Sequence, residues 1–195
     1  MDKEKGKKLL LEFTEILDYF GIPHFLIQGT ALGAYRDNGF TPTEKDIDIG
    51  YLIEDLGEGL IKRLCRRLMR QKYQIKTFSR PFTKIRMMNA TKSGCRIDLT
   101  GFMKWEDKRF ASRIDDERKL IEVSIVHHHS MLEEYRKIEL FGKEFNIPEQ
   151  IETYLELTYG DWKVPSEDHA LMESSVCIRK FIKNNNIPLD LLEKL

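Results

Sequence analysis

An α+β domain, with a mixed sheet flanked by helices and a helical C-terminus, is the fold class this sequence predicts. Three observations lead there. The chain opens as helix, strand, helix, strand; it then changes to closely spaced strands separated by turns; and it ends on helical periodicity. A length of 195 residues suits one domain with a short appendage and can bury a core without staples.

Taken in order, Leu9, Leu10, Phe13, Ile16, Leu17 and Phe20 recur at helical spacing, and Gly21 with Pro23 ends the run. Residues 24–28 (HFLIQ) predict a short buried strand. Gly29-Thr30 then forms a strand-to-helix turn into a second short helix over about residues 31–36. The turn-rich loop DNGFTPTEKD leads to the strand DIDIGYLI, and residues 55–72 form an amphipathic helix studded with Lys and Arg. Strands follow at YQIKTF, TKIRMMN and CRIDLTGF, then at residues 120–126, and KIELFGKEFNIP predicts a hairpin. Helices are expected over residues 149–158 and 166–184. This divides the chain into a domain over residues 1–165 and a helical extension, 166–195, packed upon it.

Lys and Arg total 32 and so do Asp and Glu. A broad electrostatic footprint for nucleic acid or an anionic membrane is therefore not expected, although a local basic pocket is compatible with the balance. Cys65, Cys95 and Cys177 show no metal-type spacing and read as reduced thiols, with Cys65 and Cys177 as small core residues of helices. No stretch approaches the length of a membrane span, and no signal segment is evident, so a cytoplasmic protein is expected.

The chemistry concentrates in two strands. In Asp46-Ile47-Asp48-Ile49-Gly50-Tyr51, the period of two sends Asp46, Asp48 and Gly50 to one face and the apolar residues to the other. Arg96, Asp98 and Thr100 alternate in the same way against Ile97 and Leu99. If the two strands are neighbours, Asp98 joins the pair, and three hard oxygen ligands suit Mg²⁺ or Mn²⁺. Gly29-Thr30 at a helix start offers free N–H groups for phosphate.

The stretch GTALGAYRDNGFTPTEKDIDIG closely resembles the signature of the LicD/fukutin-related phosphotransferases. The matching residues are Gly29, Thr30, Leu32, Gly33, Arg36, Gly39, Phe40, Pro42, Asp46, Ile47, Asp48, Ile49 and Gly50. RIDLTGF resembles that family's third-acid strand, and FGKEFNIPEQIETYLELTYGDWKVP its closing motif, so the resemblance runs over about residues 10–165. Where other members often place acidic residues directly before the pair and a Trp after the proline, this chain has Pro42-Thr43-Glu44-Lys45.

The resemblance implies a nucleotidyltransferase fold of the polymerase β type, with residues 1–165 as the catalytic domain. It implies transfer of phosphocholine, phosphoribitol or phosphoglycerol from a CDP-linked donor to a hydroxyl acceptor such as a glycan. Asp46, Asp48 and Asp98 become metal ligands and catalytic acids, with Gly29, Thr30 and Arg36 as phosphate contacts. Nucleotidyl transfer from an NTP, a non-catalytic binding module and, least favoured, an oligonucleotide polymerase are the competing readings.

Further residues carry two readings each. Arg36 is a phosphate clamp or a surface arginine. Lys84, alternating with Arg86, adds positive charge to the pocket or lies on a solvated strand face. Asp161 and Trp162 form a nucleotide-contacting wall, or Gly160 caps a helix ahead of a packing Trp. His127-His128-His129 is expected to be a polar turn, and Asp115-Asp116-Glu117 an exposed loop.

Overall fold

A computed structural model of the chain describes residues 1–56, 59–78, 87–105, 108–115 and 120–165. Helix α1 (Lys3–Tyr19) starts where the Asp2 side chain accepts a hydrogen bond from the Lys5 N–H, 3.1 Å away, and buries Leu9, Leu10, Phe13, Ile16 and Leu17. It is followed by β1 (Phe25–Leu26), α2 (Gln28–Leu32) and a π-helical turn, Gly33–Asp37. Then come β2 (Ile47–Leu52), a 3₁₀ turn (Ile53–Asp55) and α3 (Leu60–Arg70). The remaining elements are β3 (Gln74–Phe78), β4 (Met87–Lys92), β5 (Cys95–Trp105), β6 (Lys108–Asp115), β7 (Leu120–His128), β8 (Tyr135–Leu140), β9 (Lys143–Pro148) and α4 (Ile151–Tyr159).

The main sheet runs β1-β2-β5-β4-β3, and the far end of β5 continues into β6 and β7. β2 and β5 are parallel, while β1–β2, β3–β4, β4–β5, β5–β6 and β6–β7 are antiparallel. That makes it the mixed sheet of an α+β domain, as the sequence predicts; β8 and β9 form a separate hairpin. Ile47 and Ile49 of β2, Ile97 and Leu99 of β5, and Met88 and Ala90 of β4 are buried in one layer. α1 lies on this face: Lys92 pairs with Glu12, and the Cys95 thiol reaches the Asp2 carbonyl, 3.8 Å away. The acids occupy the other face.

Several expectations need correcting. Helix α2 begins at Gln28, so Gly29-Thr30 lies inside its first turn; β1 keeps only two residues because Gln28 swings into the left-handed region, φ 46°. The helix expected to continue to about residue 36 widens at Gly33 into the π-helical turn. A side chain at Gly33 would place its Cβ 2.5 Å from the Gly39 carbonyl oxygen, so only glycine lets the 37–41 loop fold back there. α3 starts at Leu60 rather than residue 55, since the 3₁₀ turn and the positive φ of Gly59 intervene. Residues 108–115, unassigned from sequence, form β6.

His127 and His128 are not in a turn: they end β7, paired to Arg109 and Lys108, and His129 opens a 3₁₀ turn. Asp115 is the last residue of β6, and residues 116–117 lie outside the described residues. So do the strand start at residues 83–86 with Lys84 and Arg86, the extension 166–195, and Cys177. Cys65 is half-buried on α3, whereas Cys95 is fully buried; both thiols are free. Among the described residues no helix is long and apolar enough to cross a membrane.

Candidate active site

The parallel pairing of β2 with β5 sets Asp48 directly beside Asp98. Neighbouring strands lie about 4.8 Å apart, so the two carboxylates share one small patch of sheet face. Both residues are only 8% exposed. Asp46 stands just before β2, on the same parity as Asp48.

Glu44 extends that parity by two more residues, and here the structure adds an acid that the motif does not name. Carboxylate oxygens of Glu44, Asp46 and Asp48 lie within 4.8 Å of one another, and the three could hold a metal ion. The signal was present as Glu-x-Asp-x-Asp, which carries the period of two back into the loop. Glu44 is fixed by its own surroundings. Thr41 Oγ1 donates to its Oε2 at 3.3 Å, and the N-terminal ammonium of Met1 donates to its carbonyl at 2.9 Å.

Gly29 serves this carboxylate rather than any turn. A Cβ on Gly29 would lie 2.6 Å from Glu44 Oε1 and 3.1 Å from Oε2. Thr30 is likewise turned inward. Its side chain is fully buried, and its Oγ1 accepts the Asp48 N–H at 2.9 Å. The Ile27 N–H donates to the Asp48 carbonyl at 3.3 Å, so the start of α2 is pinned to the acid strand on both backbone groups of Asp48. The left-handed backbone of Gln28 is held by its N–H donating to the Tyr154 hydroxyl of α4 at 2.9 Å.

Electrostatics follow from this crowding. Burial, then the neighbouring Asp46, pushes the Glu44 carboxyl up to about 7. Burial likewise raises Asp48 well above the usual carboxylate range, reinforced by Asp46, Glu44 and Asp98, with Arg96 opposing. Burial also raises the Tyr159 hydroxyl. Arg96 supplies the local positive charge: its guanidinium bridges Asp46 and Asp98, with Nε 3.0 Å from Asp98 Oδ1. Asn89, opposite Asp98 on β4, donates its side-chain amide to the same oxygen.

Glu44, Asp46 and Asp48 open into a cavity of about 240 Å³ lined also by Gln28, Gly29, Lys45 and Tyr159, among others. The donor set is wholly carboxylate oxygen, crowded and partly desolvated, with Arg96 at its edge. Such hard oxygen donors could hold a divalent cation.

Three other sequence candidates, Arg36, Asp161 and Trp162, sit elsewhere. Arg36 spends its fork on Asp37, with Nε and Nη2 at 2.8 and 2.9 Å, and donates from Nη1 to the Trp162 carbonyl at 2.9 Å. It lines a different cavity, with Lys3, Asp37, Phe40, Pro42 and Pro165. Gly160 caps α4, and Trp162 is buried against Tyr35, ring centroids 5.7 Å apart. Asp161 and Trp162 line a third cavity, with Glu152 and Glu156 of α4. Of the closing motif, Tyr159 is the residue that faces the acids.

Known structures and sequences agree with this architecture. The chain is similar to ANT(2")-Ia: to its crystal structure in complex with adenylyl-2"-tobramycin, at TM-score 0.50 and 14% identity, covering 97% of this chain and 93% of that one. Its solution structure gives TM-score 0.52 and 16% identity, covering 95% and 86%. In sequence, the ribitol-5-phosphate transferase FKTN of Mus musculus is 24% identical over 173 residues, 84% of this chain and 34% of that protein. The Homo sapiens protein of the same name is 36% identical over 59 residues, 30% of this chain and 13% of that one. The chain thus spans about a third of the mouse relative's length. The LicD/FKTN/FKRP nucleotidyltransferase domain matches residues 21–150, and the chain belongs to that family.

Proposed function

We propose that this chain is a phosphotransferase, dependent on Mg²⁺ or Mn²⁺, that moves a phospho-alcohol group from a CDP-linked donor to a hydroxyl of a glycan or similar acceptor. Phosphoribitol is the group favoured by the relatives named above. The observation that carries this reading is the convergence of Glu44, Asp46 and Asp48 in an open cavity, with Asp98 in register beside Asp48.

Asp46, Asp48 and Asp98, joined by Glu44, would hold the cation. When bound it supplies charge neutralisation at the donor diphosphate. Phosphoryl chemistry asks the protein for alignment and electrostatics more than for covalent help. Asp98 accepts the proton of the attacking hydroxyl, being the acid that Asn89 and Arg96 hold in place. Arg96, half-exposed at the edge of the acids, takes the phosphate-pairing role that the motif suggested for Arg36. Gln28, Gly29 and Tyr159 shape the wall where the donor phosphates enter.

The test is product analysis with CDP-ribitol, CDP-glycerol and CDP-choline, with and without glycan acceptors, in Mg²⁺ and in EDTA. Metal-dependent release of CMP, lost in Asp48→Asn, is the expected result. Pyrophosphate release from an NTP in place of CMP would instead establish nucleotidyl transfer. A folded Asp48→Asn variant with unchanged metal-dependent turnover would refute the role given to the acids.

A further inference from the structure

The chain's overall neutrality conceals a strong local segregation of charge. Residues 60–72 contain six cations, Lys62, Arg63, Arg66, Arg67, Arg70 and Lys72, and no acid. At about 100° per residue, Lys62, Arg66 and Arg70 form one i,i+4 row on α3, and Arg63 with Arg67 forms the next. The two rows fill an arc of about 140° and run about 12 Å along the helix. Leu64 and Leu68 anchor the opposite side in the core, and all five cations are exposed. Like charges at this spacing repel, so the arrangement costs the helix stability without an anionic counterpart. Among the described residues, none of the five is in a salt bridge.

Large apolar side chains border the stripe. Met69, 57% exposed, flanks the Lys62–Arg66 edge. At the other edge stands Tyr19, 76% exposed, at the end of α1, with Arg67 5.8 Å above its ring; Arg63 lies 5.6 Å above Phe20. Cations at the centre with an aromatic and a methionine at the margins match the layering of a lipid interface: anionic headgroups outside, the acyl boundary just beneath.

A single-stranded nucleic acid asks for something else, a groove with open aromatic faces for stacking. Here guanidinium groups already cover the two rings, and none of these cations lines a described cavity. We propose that α3, with the C-terminal end of α1, is a docking surface for an anionic lipid membrane. The acid cavity opens on the other face of the sheet, so docking leaves it accessible. The proposal does not depend on which group the site transfers.

Flotation of the 195-residue chain with phosphatidylcholine vesicles, with and without phosphatidylglycerol, tests it. Binding is expected only to the anionic vesicles, and high salt should release it. The combined variant Arg63→Gln, Arg66→Gln, Arg67→Gln removes three charges and should weaken the partition about a hundredfold. Its helix content, read by circular dichroism, should stay at the wild-type value because the substituted faces are exposed. The wild-type comparison of neutral and anionic vesicles decides the matter even if the variant folds poorly. Equal binding to both vesicles, no binding to either, or tighter binding to single-stranded DNA than to the anionic vesicles would each overturn the proposal.

Discussion

Thr30→Val separates two roles for a residue that the motif suggests as a phosphate contact. The side chain is fully buried, and its hydroxyl accepts the Asp48 N–H at 2.9 Å. Valine matches threonine in shape but removes that acceptor, leaving a buried backbone donor without its partner. Such an orphaned donor costs about 1–3 kcal/mol. For a domain of this size, that lowers the midpoint of thermal unfolding by roughly 2–12 °C. The loss should appear in EDTA with no nucleotide present, and Thr30→Ser, which keeps the hydroxyl, should recover most of it.

Because Asp48 is the residue being latched, Mn²⁺ affinity measured by electron paramagnetic resonance should fall in Thr30→Val as well. Thermal scans monitored by circular dichroism are sufficient for the stability arm. If Thr30→Val melts within about 1 °C of the wild type, yet loses nucleotide affinity, the latch is refuted and direct phosphate contact takes its place.

Two further outcomes follow from the same packing. Gly29→Ala would drive a Cβ to 2.6 Å from Glu44 Oε1 and push that carboxylate away from Asp46 and Asp48; Mn²⁺ affinity should drop about tenfold, a loss of about 1.4 kcal/mol, and an unchanged affinity would remove Glu44 from the metal site. The pH dependence of the metal-free protein is the second. Glu44 rises from 4.5 to about 7 on folding, so between those values the native state binds more protons than the unfolded chain. Stability therefore falls as pH rises through this window and levels off above about 7; Glu44 alone contributes about 3 kcal/mol. Asp48, raised by the same burial, adds in the same direction. Urea midpoints at about pH 5 and about pH 8 measure it, and saturating Mg²⁺ should abolish most of the difference.

By itself the sequence determined what depends on local periodicity and residue chemistry. The alternation in Asp46-Ile47-Asp48 and Arg96-Ile97-Asp98 assigned strand faces without any knowledge of partners, and the spacing of Leu10, Phe13 and Leu17 marked the buried side of α1. The parity of Glu44 is legible in the same way, but Glu44 lies in the loop before β2, where a period of two does not by itself fix a face. Residues 108–115 were not legible, because the charged run KRFASRID lacks the apolar alternation of a half-buried strand.

Tertiary structure decided which groups meet. Asp48 lies beside Asp98 because β2 and β5 pair in parallel across fifty residues of sequence, a register that no local pattern encodes. That same register brings Arg96 to the acids, while the π-helical turn after α2 holds Arg36 on Asp37 and the Trp162 carbonyl. Thr30 and Gly29, conspicuous as a motif, acquire their roles only from what packs against them: a backbone N–H in one case and a carboxylate in the other. Charge at these positions could be read along the chain, but its partners are fixed by strand pairing and burial, which act between residues far apart in sequence.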